Sequence, residues 1–290
     1  MSKIGSVVLI PNTQKHIDNG KIHSLVKKLT GGGCRVFALS DAADQIADVG
    51  DSIEIAESIG TIPECDAAIV LGGDGSIIDA AHRIIGYDIP IIGINFGHVG
   101  YLTELEIGEN SGIDRIISGD YTTDERMMLE AQVRDKDGEI RAKYTVLNDL
   151  VLTNGPVARL ISFDVFANGV KVQSCRADGA VVATPTGSTA YSLSAGGPVL
   201  DPTLEGICLT PICPHTLSSR PVVFGGNSEI EITNIKNNNS SVYLNADGRD
   251  VTPINEGDSI SIHKSEYKIK LIRLKGYGFL SVLNAKLSEN

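Results

Sequence analysis

The first third of the chain alternates short apolar runs with segments in which apolar residues recur every three or four positions. Four short, mainly apolar runs are typical of strands: Val7–Ile10, 35–39, 67–71 and Ile89–Ile94, the last broken by Pro90. The run 67–71 is continuously apolar, as expected for a parallel strand buried on both faces. Two segments have helical spacing: Ile22–Leu29, which the glycines 31–33 end, and Ile77–Ile85. This β-α-β order predicts a parallel sheet covered by helices.

From about Met128 the periodicity changes from that of a helix to an alternation of apolar and polar residues. Leu129–Val133 and Ile140–Val146 flank the turn-forming sequence Asp135–Gly138, as in a β-hairpin. Similar alternation predicts further strands around 161–165, 170–172, 230–232, 242–244, 260–262 and 267–274, with a polar hairpin loop at 237–239. This part of the chain therefore predicts antiparallel β structure.

The two patterns divide the 290 residues into two domains, as the length also favours. The predicted fold is an N-terminal Rossmann-like α/β domain, residues 1–127, followed by an antiparallel β-sandwich domain, residues 128–277. Phe279–Leu287 returns to helical spacing. We expect residues 278–290 to pack back on the α/β domain.

Composition excludes several classes of protein. Hydrophobic residues make up 42% of the chain and charged residues 21%, which is typical of a protein with a packed core. The net charge of −11 argues against general nucleic-acid binding, which needs a basic surface. An anionic ligand must therefore be held by local dipoles and a few placed cations.

Neither a membrane anchor nor an oxidising compartment is indicated. No apolar stretch approaches the roughly 18 residues that a membrane span requires. The run Ile4–Ile10 ends at Pro11 without a small-residue cleavage site, so it indicates a strand rather than a signal peptide. The five cysteines are scattered, without zinc-type or paired spacing, which is typical of free thiols in the cytoplasm.

The sequence Gly72-Gly73-Asp74-Gly75 lies where a buried strand ends and an amphipathic helix begins. Glycines there allow a ligand to approach the backbone, and the helix N-terminus favours phosphate. A carboxylate repels phosphate, but Asp74 fits this place if it accepts a proton from a hydroxyl that attacks phosphorus. The alternative is a tight turn in which Asp74 caps the helix.

A second segment, 178–197, is rich in hydroxyl groups and glycine and contains one aromatic residue, Tyr191. Hydroxyls can bind a sugar or a base, and Tyr191 offers a flat apolar surface. The alternative is a long loop of turn-forming residues. Asn148-Asp149 at the end of a strand is by itself more often a turn or a cap than a site, and 214–221 and Asp247–Arg249 are turns by default. Asn95–Gly100 follows another parallel strand, so we expect it at the same sheet edge as Asp74, with His98 by default a surface or satisfied histidine.

Several familiar motifs do not occur. The Walker A sequence, the protein-kinase set, the GxSxG elbow, HExxH and the GxGxxG dinucleotide fingerprint are all missing. If the protein uses a nucleoside triphosphate, we expect its magnesium ion to be held mainly by phosphates and water.

Taken together, these segments resemble the NAD kinase family in its bacterial form. Five segments match in order and span most of the chain beyond the first strands: Gly72–Gly75, Asn95–Glu104, Leu147–Asp149, Asp178–Pro202 and Pro214–Val222. The fourth segment is long and specific. The first is shared with diacylglycerol kinases, sphingosine kinases and phosphofructokinases.

The resemblance implies transfer of the γ-phosphoryl group of ATP, with Mg²⁺ or another divalent cation, to the 2′-hydroxyl of the adenosine ribose of NAD, giving NADP. It implies that Asp74 is the proton acceptor and that the protein is a homotetramer or homodimer. From composition and motifs we expect no side chain to be a dedicated metal ligand and no nucleic-acid or membrane partner. The residues that the resemblance assigns to nucleotide binding are Gly72, Gly73, Gly75, Asn95, Asn148, Asp149, Arg159, Arg176, Asp178, Thr189, Ala190, Tyr191, Ser192, Leu193, Ser194 and Arg249.

Two positions depart from the family pattern. Asp149 is one methylene shorter than the usual Glu, and Arg249 stands where many relatives have Gln. Two rivals also stay open on the residues alone: a lipid or sugar kinase that shares the glycine motif, and a module that senses dinucleotide without turnover. The phosphoryl donor is either ATP or polyphosphate.

Overall fold

The computed structural model describes residues 3–12, 18–46, 52–97, 100–155, 160–216, 218–236, 241–274 and 278–288. For Asp44 and Leu287 it describes the backbone but not the side chain. The predicted loop at 237–239 lies outside these residues. The described chain forms two compact units, one of residues 1–125 and 269–290 and the other of residues 126–268. The sequence predicted the divisions at 127/128 and 277/278.

The first unit is an α/β structure. Its strands are β1 (Ser6–Pro11), β2 (Arg35–Leu39), β3 (Glu54–Ala56), β4 (Ala67–Leu71), β5 (Ile91–Asn95) and β6 (Leu105–Glu106). Its helices are α1 (Asn19–Gly31), α2 (Ala43–Ile46), α3 (Asp74–Ile84), α4 (Asn110–Ser118) and, after the second unit, α6 (Gly278–Ser288). Short 3₁₀ turns lie at Ser40–Ala42 and Ile59–Thr61.

The strands of this unit pair in parallel in the order β5-β4-β1-β2-β3, with β6 beside β5. Strand β4 is buried along its whole length, which explains its uninterrupted apolar sequence. The apolar face of α1 (Ile22, Leu25, Val26 and Leu29) packs into the same core as β1 and β4. Because the strands are parallel, β4 and β5 end at one edge of the sheet.

The second unit is antiparallel. Its elements are β7 (Thr122–Arg134), β8 (Ile140–Val146), β9 (Asp149–Asn154), β10 (Ile161–Ala167), β11 (Val170–Ala177), β12 (Gly179–Ala183), a 3₁₀ turn at Gly187–Thr189, α5 (Tyr191–Ser194), β13 (Gly206–Ile212), β14 (Val222–Gly225), β15 (Ile230–Lys236), β16 (Val242–Ala246), β17 (Asp250–Ile254) and β18 (Ser259–Arg273). Residues 122–125 of β7 and 269–273 of β18 belong to the first unit.

Two sheets of this unit face each other across one core. One has the order β11-β10-β15-β18-β7-β8 and the other β14-β13-β12-β9-β16-β17. Inward-facing side chains of both sheets, such as Phe163 and Val165 of the first and Leu150 and Leu152 of the second, share a single hydrophobic cluster. The fold is therefore the predicted combination of an α/β sheet with an antiparallel β structure.

Two details of the predicted strands were wrong. The strands expected at 260–262 and 267–274 are parts of one long strand, β18, because the intervening residues include no glycine or proline that could form a turn. Asp149 was placed at the end of a strand, but it begins β9. Leu147 and Asn148 form the two-residue connection through which the chain leaves β8 for the other sheet.

Candidate functional site

The glycine turn of the first unit places Asp74 at the sheet edge. It connects the buried end of β4 to α3, and Asp74 is the first residue of that helix. The N–H of Gly72 donates to the carbonyl of Ile94 on the neighbouring strand at 3.0 Å. A Cβ on Gly72 would overlap the side chain of Ser76, so a larger residue does not fit this turn.

Asp74 does not cap its own helix, which was the structural alternative for this residue. Its half-buried carboxylate instead accepts two backbone hydrogen bonds from another segment, from the N–H of Tyr101 at 2.9 Å and the N–H of Leu102 at 3.0 Å. A Cβ on Gly100 would overlap this carboxylate. Glycine at position 100 therefore allows the segment to approach Asp74 closely.

Asn95 lies at the same sheet edge, at the end of β5. Its side-chain oxygen accepts from the N–H of Phe96 at 2.8 Å, which closes the turn that leaves the strand. Asn95 and the glycine turn thus end neighbouring parallel strands, where ligands of open α/β sheets bind.

The second unit has its own pocket, of about 440 Å³. It is lined by Asn148, Asp149, Val151, Thr153, Ala190, Tyr191, Asn245, Asp247 and Gly248. Two of these side chains are carboxylates, and no lysine or arginine is among them. Such a lining favours groups that donate hydrogen bonds, such as ribose hydroxyls or amides, over phosphate.

The alternation of strand β9 builds one wall of this pocket. Asp149, Val151 and Thr153 face the pocket, whereas Leu150 and Leu152 point into the core between the two sheets. Asn245 on β16 lies opposite Val151. The site therefore occupies the outer face of a sheet whose inner face is hydrophobic core.

Five pocket residues were not predicted from the sequence: Val151, Thr153, Asn245, Asp247 and Gly248. Asp247 was missed because Asp247-Gly248 was interpreted as a turn. These residues are in a turn, with positive φ at both, but the Asp247 carboxylate also accepts three consecutive backbone N–H groups. They are those of Leu147 at 2.7 Å, Asn148 at 2.8 Å and Asp149 at 3.0 Å. Asp247 therefore fixes the connection that carries Asn148 and Asp149.

The carboxyl group of Asp149 is in an unfavourable place for a charge. Only 6% of the residue is exposed. Burial, and secondly the charge of Asp247, raise its pKa from 3.8 to about 7, although the N–H of Tyr191 donates to it. At neutral pH a substantial fraction of Asp149 is therefore protonated, so it can act as a donor as well as an acceptor.

The hydroxyl-rich segment covers the outer face of the same sheet, and several of its hydroxyls serve the fold. Ser192 is fully buried and lies 2.9 Å from the hydroxyl of Thr210, and Thr189 donates to the carbonyl of Thr186 at 3.2 Å. Leu193 is half-buried and Ser194 exposed. Tyr191, 46% exposed, is the aromatic surface that this segment adds to the pocket beside Ala190.

Gly187 explains how this segment reaches the pocket. A Cβ at this position would overlap the backbone of Asn148. Thr184 makes two hydrogen bonds to the connection formed by Leu147 and Asn148. Its hydroxyl donates to the carbonyl of Leu147 at 2.6 Å, and its N–H donates to the carbonyl of Asn148 at 2.9 Å. The segment and the Asn148 connection are therefore packed backbone to backbone.

Not all of the expected residues lie in this pocket. Asp178 precedes β12 at the end where Gly179 pairs with Thr153, whereas Asp149 pairs with Ala183 at the other end. Asp178, the exposed Arg176 and the exposed Arg249 are not among the residues that line the pocket. Arg159 lies outside the described residues, as does His98 in the segment after β5.

None of the helices in the described part of the chain combines the length and apolar character that a membrane crossing requires. Within the same residues, no group of three or more His, Cys, Asp or Glu side chains is arranged to hold a metal ion.

Comparison with known proteins identifies the family. The chain matches the ATP-NAD kinase N-terminal domain over residues 54–121 and the ATP-NAD kinase C-terminal domain over residues 147–274. It is 47% identical over 226 residues to the NAD kinase of Symbiobacterium thermophilum, covering 78% of this chain and 79% of that protein. It is 37% identical over 284 residues to the NAD kinase of Natranaerobius thermophilus, covering 98% of each.

A solved structure shares the whole fold. The crystal structure of yeast NADH kinase complexed with NADH superposes with a TM-score of 0.89 at 25% identity, and the match covers 100% of this chain and 89% of that one. The matched domains, the identities over most of the chain and this fold agree with the motifs at Asp74 and Asn148-Asp149. The chain therefore belongs to the ATP-NAD kinase family, a family of phosphotransferases.

Proposed function

We propose that this protein transfers the γ-phosphoryl group of ATP to the 2′-hydroxyl of the adenosine ribose of NAD, giving NADP and ADP. The hydroxyl oxygen forms a bond to the γ-phosphorus while the bond from that phosphorus to the bridging oxygen of ADP breaks. The proton of the hydroxyl passes to the carboxylate of Asp74. Membership of the family supports the substrates, and the geometry of Asp74 carries the assignment of the base.

Asp74 is suited to accept a proton because its carboxylate has a fixed orientation and hydrogen-bond acceptor positions that the two N–H groups do not use. A carboxylate has about four acceptor positions, and the N–H groups of Tyr101 and Leu102 use one on each oxygen. The two hydrogen bonds fix the carboxylate plane and leave acceptor positions for an attacking hydroxyl. Such fixed geometry is what general-base catalysis requires.

The glycine turn supplies the surroundings for a triphosphate. Gly75 is exposed in the first turn of α3, where backbone N–H groups and the helix dipole favour phosphate oxygens. We assign the divalent cation to the nucleotide, as part of the MgATP substrate, with phosphate oxygens and water as its ligands. The described residues provide no cluster of carboxylates, histidines or cysteines that would hold it by themselves.

The pocket of the second unit is suited to an uncharged or positively charged part of the dinucleotide. Its polar side chains include those of Asn148, Asp149, Thr153, Asn245 and Asp247, and Tyr191 adds an aromatic surface. Carboxylates accept from ribose hydroxyls and from the amide of nicotinamide. We therefore propose that it binds a nucleoside of NAD rather than the pyrophosphate.

The test of the base is Asp74→Asn. Asparagine keeps the size of the side chain but cannot take up the proton, so kcat should fall by about 10²- to 10⁴-fold. The NAD dissociation constant, measured by calorimetry, should stay close to that of the unchanged protein. Asp79→Asn, the same replacement at an exposed position of α3, is the matched control and should leave kcat unchanged. Turnover of Asp74→Asn close to that of the unchanged protein would refute the role.

The same assay tests the substrates. The protein is incubated with Mg²⁺ and ATP or polyphosphate, and with NAD, NADH, diacylglycerol or fructose 6-phosphate as acceptor, and phosphorylated product is quantified. We expect NADP from NAD and ATP. Binding of NAD without formation of NADP with either donor would instead support a dinucleotide sensor, and product from the lipid or the sugar alone would support the rival kinases. Light scattering tests the proposed homo-oligomer.

A further inference from the structure

The segment that holds Asp74 is itself held from its other side. We call residues 100–104 the Asp74-binding segment, because the N–H groups of Tyr101 and Leu102 bind that carboxylate. The carbonyl oxygens of the same two residues accept from the guanidinium of Arg273, at 3.4 Å from Tyr101 and 3.3 Å from Leu102. Two neighbouring residues thus use their N–H groups for Asp74 and their carbonyls for Arg273.

Arg273, at the end of β18, is firmly fixed. Its side chain is 13% exposed, and its Nη1 donates to the carboxylate of Glu104 at 3.1 Å. Its Nε lies 3.5 Å from the carboxylate of Asp124. Glu104 belongs to the Asp74-binding segment, is 3% exposed, and also accepts the N–H of Leu274 at 2.8 Å. The planar guanidinium therefore binds two carbonyls and two carboxylates at once, which an ammonium group cannot reproduce.

The C-terminal helix contacts the same segment through a side chain. The Tyr101 ring lies 6.2 Å from the ring of Phe279 on α6, and the ammonium of Lys286 lies 5.3 Å from the Tyr101 ring centre. The polypeptide after the second unit thus reaches the Asp74-binding segment twice, through Arg273 and through α6. Both contacts lie within the first unit.

We propose that Arg273 is a positioning residue for phosphoryl transfer: it fixes the peptide groups of Tyr101 and Leu102 and thereby the orientation of the Asp74 carboxylate. This inference rests on the proposed role of Asp74 as proton acceptor. Arg273 itself touches neither the carboxylate nor the reacting atoms. Its effect must therefore appear in the rate of transfer and not in the affinity for NAD, because displacements of about 1 Å at a reacting group can cost about 100-fold in rate.

The first experiment compares Arg273→Lys with Arg115→Lys. Lysine keeps the positive charge beside Glu104 but lacks the planar guanidinium that binds the carbonyls and carboxylates together. We therefore expect kcat to fall 10- to 100-fold, while the dissociation constant for NAD stays unchanged. Arg115 is the matched control, because it donates to the neighbouring carbonyl of Leu274 at 2.9 Å and pairs with Asp120. Among the described residues it makes no hydrogen bond or ion pair with the Asp74-binding segment. Arg115→Lys should keep the original kcat. An Arg273→Lys enzyme with the original kcat would overturn the proposal.

The second experiment separates positioning from general stability. If Arg273 acts through Asp74, then Arg273→Lys should lower kcat no further in an Asp74→Asn background, whereas independent effects would multiply. Multiplied losses would overturn the proposal. If Arg273→Lys fails to fold, the double variant Arg273→Met with Glu104→Gln is measured in the same cycle. It removes the charge of Arg273 together with that of Glu104, and Asp124 keeps its charge.

The outcomes also distinguish this inference from the proposed function. If the unchanged protein forms no NADP, or if Asp74→Asn alone retains full turnover, the proposed function fails. If the unchanged protein is active and Asp74→Asn is impaired but Arg273→Lys is not, only the positioning role fails.

Discussion

Replacing Asp149 by Asn should stabilise the protein at neutral and alkaline pH, because the folded chain holds this carboxyl where its charge is unfavourable. The residue is 6% exposed and faces the charge of Asp247, and its pKa is raised from 3.8 to about 7. Asparagine carries no charge at any pH, and its carbonyl oxygen can still accept the N–H of Tyr191.

The sign and size of the effect follow from the two pKa values. Below about pH 3 Asp149 is protonated in both states, so it adds no pH dependence. As pH rises from about 3 to 7, the unfolded chain releases its proton while the folded one retains it, and stability falls until it levels off above the folded pKa of about 7. At about 1.4 kcal/mol per pKa unit, the full cost is about 4 kcal/mol, of which about 2.6 kcal/mol develops between pH 5 and pH 8.

Urea unfolding of the ligand-free protein at pH 5 and pH 8 measures this effect. The free energy of unfolding of Asp149→Asn minus that of the unchanged protein should be positive and should grow by about 2–3 kcal/mol between the two pH values. Asp164→Asn is the contrasting control, because Ser174, Lys171 and Asn234 lower the pKa of Asp164 to about 2. That variant should be less stable, by an amount that does not change between pH 5 and pH 8. A stability difference for Asp149→Asn that is independent of pH would refute the reasoning.

Two further predictions concern the geometry of the sites. Gly100→Ala should lower kcat by about 10-fold or more, because its Cβ would overlap the Asp74 carboxylate. Gly31→Ala, where a Cβ meets no atom within 4 Å, is the control and should leave kcat unchanged. Steady-state assays of both variants check this, and equal rates would contradict it. Tyr191→Ala should raise the NAD dissociation constant by about 10-fold, because the pocket loses an aromatic surface. Calorimetry measures this constant, with Tyr267→Ala, at a tyrosine that is likewise partly exposed, as the control. Unchanged affinity of Tyr191→Ala would exclude Tyr191 from the site.

The sequence predicted best those elements whose residue pattern is determined by burial in the core. The wholly buried strand β4 has to be apolar at every position, so its bounds were predicted to the residue. The helix α1 was recognised because one face enters the core. Strands β3, β6, β9, β13, β14 and β17 were missed. The three-residue β3 is too short to show a pattern, and β13 is buried on nearly all its length, which hides the alternation of an antiparallel strand.

The site was predictable where its chemistry is local and not where it depends on distant partners. Asp74 could be located from the glycines beside it. Its hydrogen bonds to Tyr101 and Leu102, by contrast, join residues 27 and 28 positions away. Asp247 was hidden because an Asp-Gly pair is an ordinary turn sequence, and only the folded chain shows that its carboxylate binds three N–H groups almost 100 positions earlier.

Strand β9 has a consequence for how this protein tolerates change. Its alternate residues face either the pocket or the core, so the five consecutive positions 149–153 specify ligand contacts and packing at the same time. A single-codon insertion before Leu150 would turn both leucines toward the ligand and send polar side chains among the hydrophobic ones. Such an insertion would disturb packing and ligand contacts together, so we expect β9 to tolerate substitution but not a change of length.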